Sequence, residues 1–200
     1  MANVLSKEKK LAVLKCLVEG NSIRSTERIT GVYCNTVMRL LVSFGNACQD
    51  YLDSSLCNLT LNHIPLDEIR TFCGKKDRML KGHERNNPEL GSQYLFTALC
   101  GDSKLIVFHK IGKRTYQTTK AFIDDLESRM FVRPDTDGEQ RPQISTDGWG
   151  SYRPAIAQTF GKTARHGVLV KNYSNPESGR YAPPDLRCAE RISVQGIRHL

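Results

Sequence analysis

Residues 143–148, QISTDG, predict a short β-strand over 143–146 that ends at an acidic residue, Asp147, followed by a glycine. A longer strand is predicted over 58–73, and it carries a second carboxylate, Asp67. Adjacent strands of a mixed sheet bring together side chains that are far apart in sequence. We therefore expect Asp67 and Asp147 to meet at one site. The alternative is that both are ordinary polar residues at strand borders.

Carboxylates in such a pair repel each other, and a hard divalent cation removes that conflict. Mg²⁺ or Mn²⁺ takes oxygen ligands and keeps positions for water and phosphate. Such ions can activate a water or a DNA 3′-hydroxyl for in-line phosphoryl transfer. Glu68 is not expected to share the cation with Asp67, because neighbouring residues of a strand point to opposite faces.

The residues after Asp147 suit contact with a nucleic acid. Gly148 allows a sharp turn and the close approach of a backbone. Trp149 and Tyr152 supply flat surfaces on which an unpaired base can stack.

Residues 57–200 predict the order strand, strand, strand, helix, strand, helix, strand. The second and third strands, 94–100 and 105–111, flank a Gly-Asp turn and form a hairpin. The last predicted strand is short, at 168–170, and the sequence beyond residue 175 is only weakly patterned.

Two helices lie between these strands. The first is capped by Thr118 or Thr119, and its apolar face contains Phe122, Leu126 and Met130. The second is predicted over 155–160.

Residues 6–55 predict three helices. Ser6 caps the first helix, and the second runs from Ser22 to Thr30 with Ile23 and Ile29 facing inward. Gly31 makes the next turn. The expected apolar stripe of the first helix is Leu11, Leu14, Leu17 and Val18. The third helix has one apolar face at helical spacing: Val37, Leu40, Leu41, Phe44, Ala47, Cys48 and Tyr51.

A long helix, a short helix, a glycine turn and another helix is the order of a helix-turn-helix motif. Its recognition helix would present Tyr33, Asn35, Thr36 and Arg39 to the major groove, where Asn and Arg read adenine and guanine edges. A three-helix bundle without a DNA role is the alternative. We expect this domain to span residues 1–56 and a second domain to span 57–200.

The composition favours a polyanionic partner. The 200 residues carry 29 basic and 21 acidic groups, a net charge of +8, which points to nucleic acid first and a membrane surface second. No run reaches the ~18 apolar residues of a membrane helix. The seven cysteines form no Cys-x-x-Cys pair and their number is odd, so reduced cytosolic thiols are expected rather than disulfides or structural zinc.

Several sequence blocks together resemble transposases of the insertion-sequence-one type. These blocks are 66–76 (LDEIRTFCGKK), 94–99 (YLFTAL), 145–152 (STDGWGSY) and the segment Gly31-Val32 to Asn35-Thr36-Val37. The resemblance covers nearly the whole chain, in the family's order.

This resemblance implies an α+β, mixed architecture: a helix-turn-helix domain that binds terminal inverted repeats, followed by a ribonuclease-H-like core with an Asp-Asp-Glu metal triad. Asp67 matches the first acid and Asp147 the second. The implied cofactor is Mg²⁺ or Mn²⁺, and the implied partner is double-stranded DNA, bound as a homo-oligomer in the cytoplasm at the nucleoid. No membrane partner is implied.

The third acid of that family is a Glu on a later helix, within a His/Tyr-Val-Glu-Arg-Gln-Asn type motif that this sequence lacks. Neither Glu177 nor Glu190 has the right neighbours, so the core is expected to be incomplete at its C-terminus. We therefore expect a truncated transposase that binds DNA but does not complete strand transfer alone. The alternatives are a DNA-binding regulator that inhibits transposition and a ribonuclease-H-like nuclease of another family.

Overall fold

The computed structural model describes residues 4–131, 141–173 and 186–195. The chain divides into two compact units, Met1–Leu56 and Cys57–Leu200. Within these described ranges, no helix is both long enough and apolar enough to cross a membrane.

The first unit contains three helices, α1 (Lys7–Val18), α2 (Ile23–Thr30) and α3 (Cys34–Ser55). The Ser6 and Ser22 hydroxyls accept hydrogen bonds from backbone N–H groups in the first turns of α1 and α2, as expected of N-caps. Gly31 ends α2 in the left-handed conformation, with φ 67°.

The apolar core of this unit is small, and it differs from the predicted stripes. Its members are Val13, Val32 and Val37, with Leu5, Leu17, Ile23 and Leu40 packed against them. Leu11, Val18 and Ile29 are exposed, contrary to the prediction, whereas Thr26 is buried. A unit of this size buries few positions, so helical spacing alone does not identify which stripe faces the core.

Most of the predicted apolar face of α3 is also exposed. Val37 and Leu40 contact the core, but Leu41, Phe44 and Tyr51 do not. The 22 residues of α3 span about 33 Å, whereas the 8 residues of α2 span about 12 Å, so α3 extends beyond its partner.

The second unit is built on a six-stranded mixed sheet with the order β3-β2-β1-β4-β5-β6. The β1–β4 and β4–β5 pairs are parallel, and the other pairs are antiparallel. The strands are β1 (His63–Cys73), β2 (Gly91–Leu99), β3 (Ile106–Gly112), β4 (Gln143–Thr146), β5 (Arg165–Tyr173) and β6 (Leu186–Gln195).

Two helices cover one face of this sheet, α4 (Tyr116–Ser128) and α5 (Tyr152–Phe160). Side chains alternate along β1, so Ile64 and Leu66 are buried while Pro65 and Asp67 are exposed on the opposite face. In β4, Ile144 is buried and Ser145 is exposed in the same way. The sheet therefore has one face packed against helices and one open face at β1 and β4.

Several boundaries differ from the predicted ones. β1 begins at His63 rather than at residue 58, because Leu59 forms only an isolated bridge with Met130. The cap of α4 is Thr115, whose hydroxyl accepts from the Thr118 N–H, rather than Thr118 or Thr119. The helix α5 begins at Tyr152, three residues earlier than predicted.

The strand β6 was not predicted, and β5 is longer than expected. Residues 186–193 of β6 are exposed at every position, so they show no alternation of apolar and polar residues that would signal a strand. Residues 132–140, 174–185 and 196–200 lie outside the described residues.

The helix-side core predicts a clear stability difference between two phenylalanines. Phe122 is fully buried, with its ring centroid 5.6 Å from those of Phe96 and Phe108. Phe122→Ala is expected to lower the free energy of unfolding by about 3–5 kcal/mol, because it leaves a cavity. Phe72→Ala, at a half-exposed position, should cost about 1 kcal/mol or less. Urea unfolding followed by circular dichroism measures both, and equal losses would contradict this core.

Candidate functional site

The candidate site lies where β1 and β4 run side by side. Their parallel register pairs Ile64 with Ile144 and Pro65 with Ser145. Two residues further along each strand direction stand Asp67 and Asp147. Because side chains alternate with a period of two along β1, the Asp67 carboxylate projects from the open face on which Pro65 lies. Asp147 directly follows the last residue of β4.

Asp67 and Asp147 line the same cleft, which has a volume of about 650 Å³. The other lining residues are Pro65, Leu66, Arg114, Ser145, Thr146, Gly148, Trp149, Leu169, Val170 and Lys171. The two cationic side chains among them suit an anionic ligand. The structure thus places the two carboxylates that the sequence analysis identified in one cleft. Arg114 and Lys171, which the sequence analysis did not identify, line the same cleft.

Local hydrogen bonds hold Asp147 in place. One carboxylate oxygen, Oδ1, accepts from the Trp149 backbone N–H at 2.9 Å, and the other, Oδ2, accepts from Arg114 at 3.2 Å. The Asp147 side chain is 45% exposed. Asp67 is also exposed, and its Oδ1 accepts from the Glu68 N–H at 2.8 Å. Both carboxylates are therefore open to the cleft.

Glu68 lies on the opposite face from Asp67, as alternation predicts, but it is still connected to the site. Its side chain is only 3% exposed, and its Oε2 accepts from Arg114 at 3.0 Å. The Arg114 guanidinium thus bridges Glu68 on the core side and Asp147 on the cleft side. Glu68 does not line the cleft with Asp67, but it reaches the site through Arg114, because alternation describes the direction of a side chain and not the reach of an arginine.

Burial raises the pKa of Glu68, against the lowering effects of the Tyr152 hydroxyl and Arg114. Burial also raises the pKa of Tyr152, with Glu68 adding to the effect. Tyr152 is fully buried. The prediction that Tyr152 offers a surface for base stacking is wrong, because α5 begins at this residue and turns its ring into the core.

Trp149 is only partly available for stacking. The guanidinium carbon of Arg114 lies 4.3 Å from the centre of the Trp149 ring, a cation–π contact. The indole N–H donates to Thr119 Oγ1 at 3.3 Å. One face of the ring is therefore covered by Arg114, which no sequence motif had identified.

The donor chemistry fits a hard cation. Asp67 and Asp147 supply carboxylate oxygens, which Mg²⁺ and Mn²⁺ prefer, and neither thiol nor imidazole lines the cleft. Within the described residues, no group of three or more His, Cys, Asp or Glu side chains forms a metal cluster. A cation held here would have two protein carboxylates and would keep several waters.

Of the two candidates for a third acid, Glu190 lies within the described residues. Glu190 lies in β6 and pairs with Val170. Val170 lines the cleft, but Glu190 is not among its lining residues. Glu177 lies outside the described residues.

In the first unit, the four predicted DNA-contacting residues stand at the beginning of α3. Tyr33 is its N-cap residue and is exposed, as are Asn35 and Arg39, while Thr36 is half-buried. The Cys34 N–H donates to Glu27 Oε1 at 3.1 Å, which ties the start of α3 to α2. These side chains therefore form one accessible group on a fixed helix end.

The comparisons with known proteins give little. No family model matches the chain, and no curated protein matches it. Among solved structures, a piggyBac transposase synaptic complex with hairpin DNA, determined by cryo-EM, is similar with a TM-score of 0.34 and 12% identity. The match covers 85% of this chain and 33% of that chain, so this chain spans about a third of that protein's length. A likeness this weak defines neither a fold nor an activity.

His166 predicts a pH dependence of stability. It is buried beside the site, with its Nε2 2.9 Å from Thr146 Oγ1. Burial, together with the charge of Arg153, lowers the pKa of His166 to about 4. Unfolded chains take up the proton near pH 6.5, whereas the folded protein does so only near pH 4. The stabilisation is therefore complete above pH 6.5 and is lost as the pH falls to about 4, by up to about 3 kcal/mol.

Urea unfolding of the wild type and of His166→Gln between pH 4 and 7 measures this effect. The wild type is expected to lose its advantage over the variant as the pH falls. Parallel pH curves for the two proteins would contradict a neutral buried His166.

Proposed function

We propose that this chain is a DNA-binding protein of the transposase type, with a cleft for cation-dependent phosphodiester chemistry in a ribonuclease-H-like second unit. The observation that carries the proposal is that Asp67 and Asp147 line one cleft, each two residues beyond the Pro65–Ser145 pair of the parallel strands β1 and β4. Nearby like charges disfavour ionisation of both groups, and a divalent cation between them removes that cost.

The chemistry follows from the residues of the cleft. A divalent cation bound here would supply charge stabilisation and an activated water or 3′-hydroxyl. Asp67 and Asp147 would hold it, while Arg114 and Lys171 provide positive charge for a phosphate backbone. The cleft is open, as an extended polymer substrate requires.

The order of elements supports the same proposal. In the second unit, β1, β2 and β3 are followed by α4 and then β4. Three strands, a helix and a fourth strand begin a core of the ribonuclease-H-like kind, as the sequence resemblance implies. The acid-bearing strands β1 and β4 are neighbours in the sheet.

The first unit is proposed to recognise duplex DNA as a helix-turn-helix. Tyr33, Asn35, Thr36 and Arg39 at the start of α3 would enter the major groove. Under this proposal the duplex carries the terminal inverted repeats, and the protein assembles on it as a homo-oligomer at the nucleoid.

A second candidate is a DNA-binding regulator without catalysis. The observation that favours it is that the described residues contain no group of three potential ligands. Two carboxylates hold a cation more loosely than three, and displacement of about 1 Å can cost ~100-fold in rate. Such a protein would occupy DNA and inhibit an active transposase.

Cation binding provides the first test. Isothermal titration with Mn²⁺ is expected to show binding by the wild type and at least about tenfold weaker binding by Asp67→Asn and Asp147→Asn, because each loses a charged ligand. Asp125→Asn is the matched control, since Asp125 lies on α4, pairs with Lys110 of β3 and does not line the cleft. Equal affinities for all four proteins would refute the site.

DNA cleavage and footprinting together separate the two candidate functions. With Mg²⁺ and a duplex selected by the protein from a random pool, footprints should persist in Asp147→Asn. An enzyme shows cleavage that this variant loses, whereas a regulator shows equal footprints and no cleavage in either protein. Loss of the footprint in Asp147→Asn would contradict the proposal that the first unit, and not the cleft, recognises the DNA sequence.

Base recognition by α3 provides a further test. Asn35→Ala and Arg39→Ala should each weaken binding to the selected duplex by about 1–3 kcal/mol, with little change for a scrambled duplex. Lys15→Ala, on the exposed surface of α1, is the control and should weaken both duplexes equally or not at all. Fluorescence anisotropy measures these affinities. Equal losses of affinity for the selected and the scrambled duplex would mean that Asn35 and Arg39 contact only phosphates.

A further inference from the structure

Arg114 is the most connected side chain of the cleft. It lies between the end of β3 and Thr115, the cap of α4. Its Nη2 donates to Glu68 Oε2 at 3.0 Å and to Asp147 Oδ2 at 3.2 Å. The guanidinium also stacks on Trp149 at 4.3 Å and lies 5.7 Å from the centre of the Tyr94 ring.

These contacts differ in how easily they can be exchanged. Glu68 is 3% exposed, so breaking its pair with Arg114 would leave a buried charge without compensation. Asp147 is 45% exposed, and water and salt weaken its pair with Arg114. Arg114 is therefore anchored on the core side by Glu68 and Trp149, and its bond to Asp147 is the replaceable one.

The Arg114–Asp147 contact also conflicts with the proposed use of Asp147. A carboxylate oxygen that accepts from a guanidinium is less available to a divalent cation. If a cation takes Asp147, Arg114 keeps its anchor and gains a free donor edge toward the cleft. Its Nε is buried, so the donors available to a ligand are those of the guanidinium end groups. A planar guanidinium with free donors matches the oxygens of a phosphate group.

We propose that Arg114 is the phosphate-binding residue of the cleft, and that in the nucleic-acid-free protein it rests on Asp147 and competes there with the divalent cation. Glu68 is then a positioning residue, which acts on DNA only through Arg114. The inference rests on the proposed function, because it takes the cation and the DNA phosphate as the ligands of the cleft.

The first measurement is Mn²⁺ affinity, read from quenching of Trp149, the only tryptophan in the chain. The double variant Arg114→Gln/Glu68→Gln removes the guanidinium that competes with Mn²⁺ for Asp147, and it leaves no unpaired charge at the buried position 68. This double variant is expected to bind Mn²⁺ up to about fivefold more tightly than the wild type, since exposed ion pairs are worth little more. Lys171→Ala is the matched control, because it removes another positive charge from the cleft lining but no partner of Asp147.

An increase in Mn²⁺ affinity in the double variant that exceeds that of Lys171→Ala supports competition at Asp147. Equal increases in the two proteins, or no increase, overturn it. Failure of the cation site itself is distinguishable, because the wild type would then bind no Mn²⁺ or would bind it independently of Asp67 and Asp147.

The second measurement is the affinity for a short non-specific duplex in the presence of Mg²⁺, by fluorescence anisotropy, for the variant Glu68→Gln alone. Loss of a negative charge should strengthen DNA binding if only net charge matters. If Glu68 positions Arg114, the same change should instead weaken binding, by about tenfold for loss of one charged hydrogen bond to phosphate. Weaker DNA binding by Glu68→Gln thus indicates that Glu68 positions Arg114, whereas stronger binding indicates that only the net charge matters.

Arg114→Lys keeps the charge and the pairing with Glu68, but it lacks the planar group that stacks on Trp149. It is expected to bind the duplex more weakly than the wild type and to fold normally by circular dichroism. Wild-type DNA affinity in Arg114→Lys, or stronger binding in Glu68→Gln, overturns the assignment of Arg114.

Discussion

The parallel pairing of β1 with β4 is the constraint on which the second unit depends. With Pro65 opposite Ser145, the same two strands direct Ile64, Leu66 and Ile144 into the helix-covered core and Asp67 toward the open face. A slip of one residue would reverse these faces, burying Asp67 and exposing the apolar side chains. Hydrophobic burial therefore fixes the register of the two strands that bring Asp67 and Asp147 to one cleft.

The Glu68–Arg114 pair connects the core to the cleft. Glu68 points toward the helix side, next to Tyr152 at the start of α5, and burial alone would make its charge costly. Arg114 compensates that charge while its guanidinium remains within reach of Asp147. The same pair thus supports core packing and holds a positive group at the edge of the site. This arrangement explains why a charged residue is tolerated in the interior of β1.

The sequence predicted the carboxylate pair and most of the second unit. The sequence predicts Asp67 within a long strand and Asp147 after a short one, because alternating residues and turn residues are local signals. The contacts of Arg114 could not be predicted from the sequence, because they join it to residues 46 and 33 positions away along the chain. The strand β6 was missed because residues 186–193 are all exposed and show no alternation. In the first unit, spacing predicted the helices but not which stripe is buried, since so small a core uses only a few apolar positions of each helix.

The central claim is that Asp67 and Asp147 share one divalent cation. The most direct test is an anomalous difference map from crystals of the protein grown with Mn²⁺ at a concentration that saturates binding. We expect a single strong peak bonded to a carboxylate oxygen of each aspartate, with Arg114 no longer hydrogen-bonded to Asp147. A map without a peak between the two carboxylates, or with manganese bound only elsewhere, would contradict the claim.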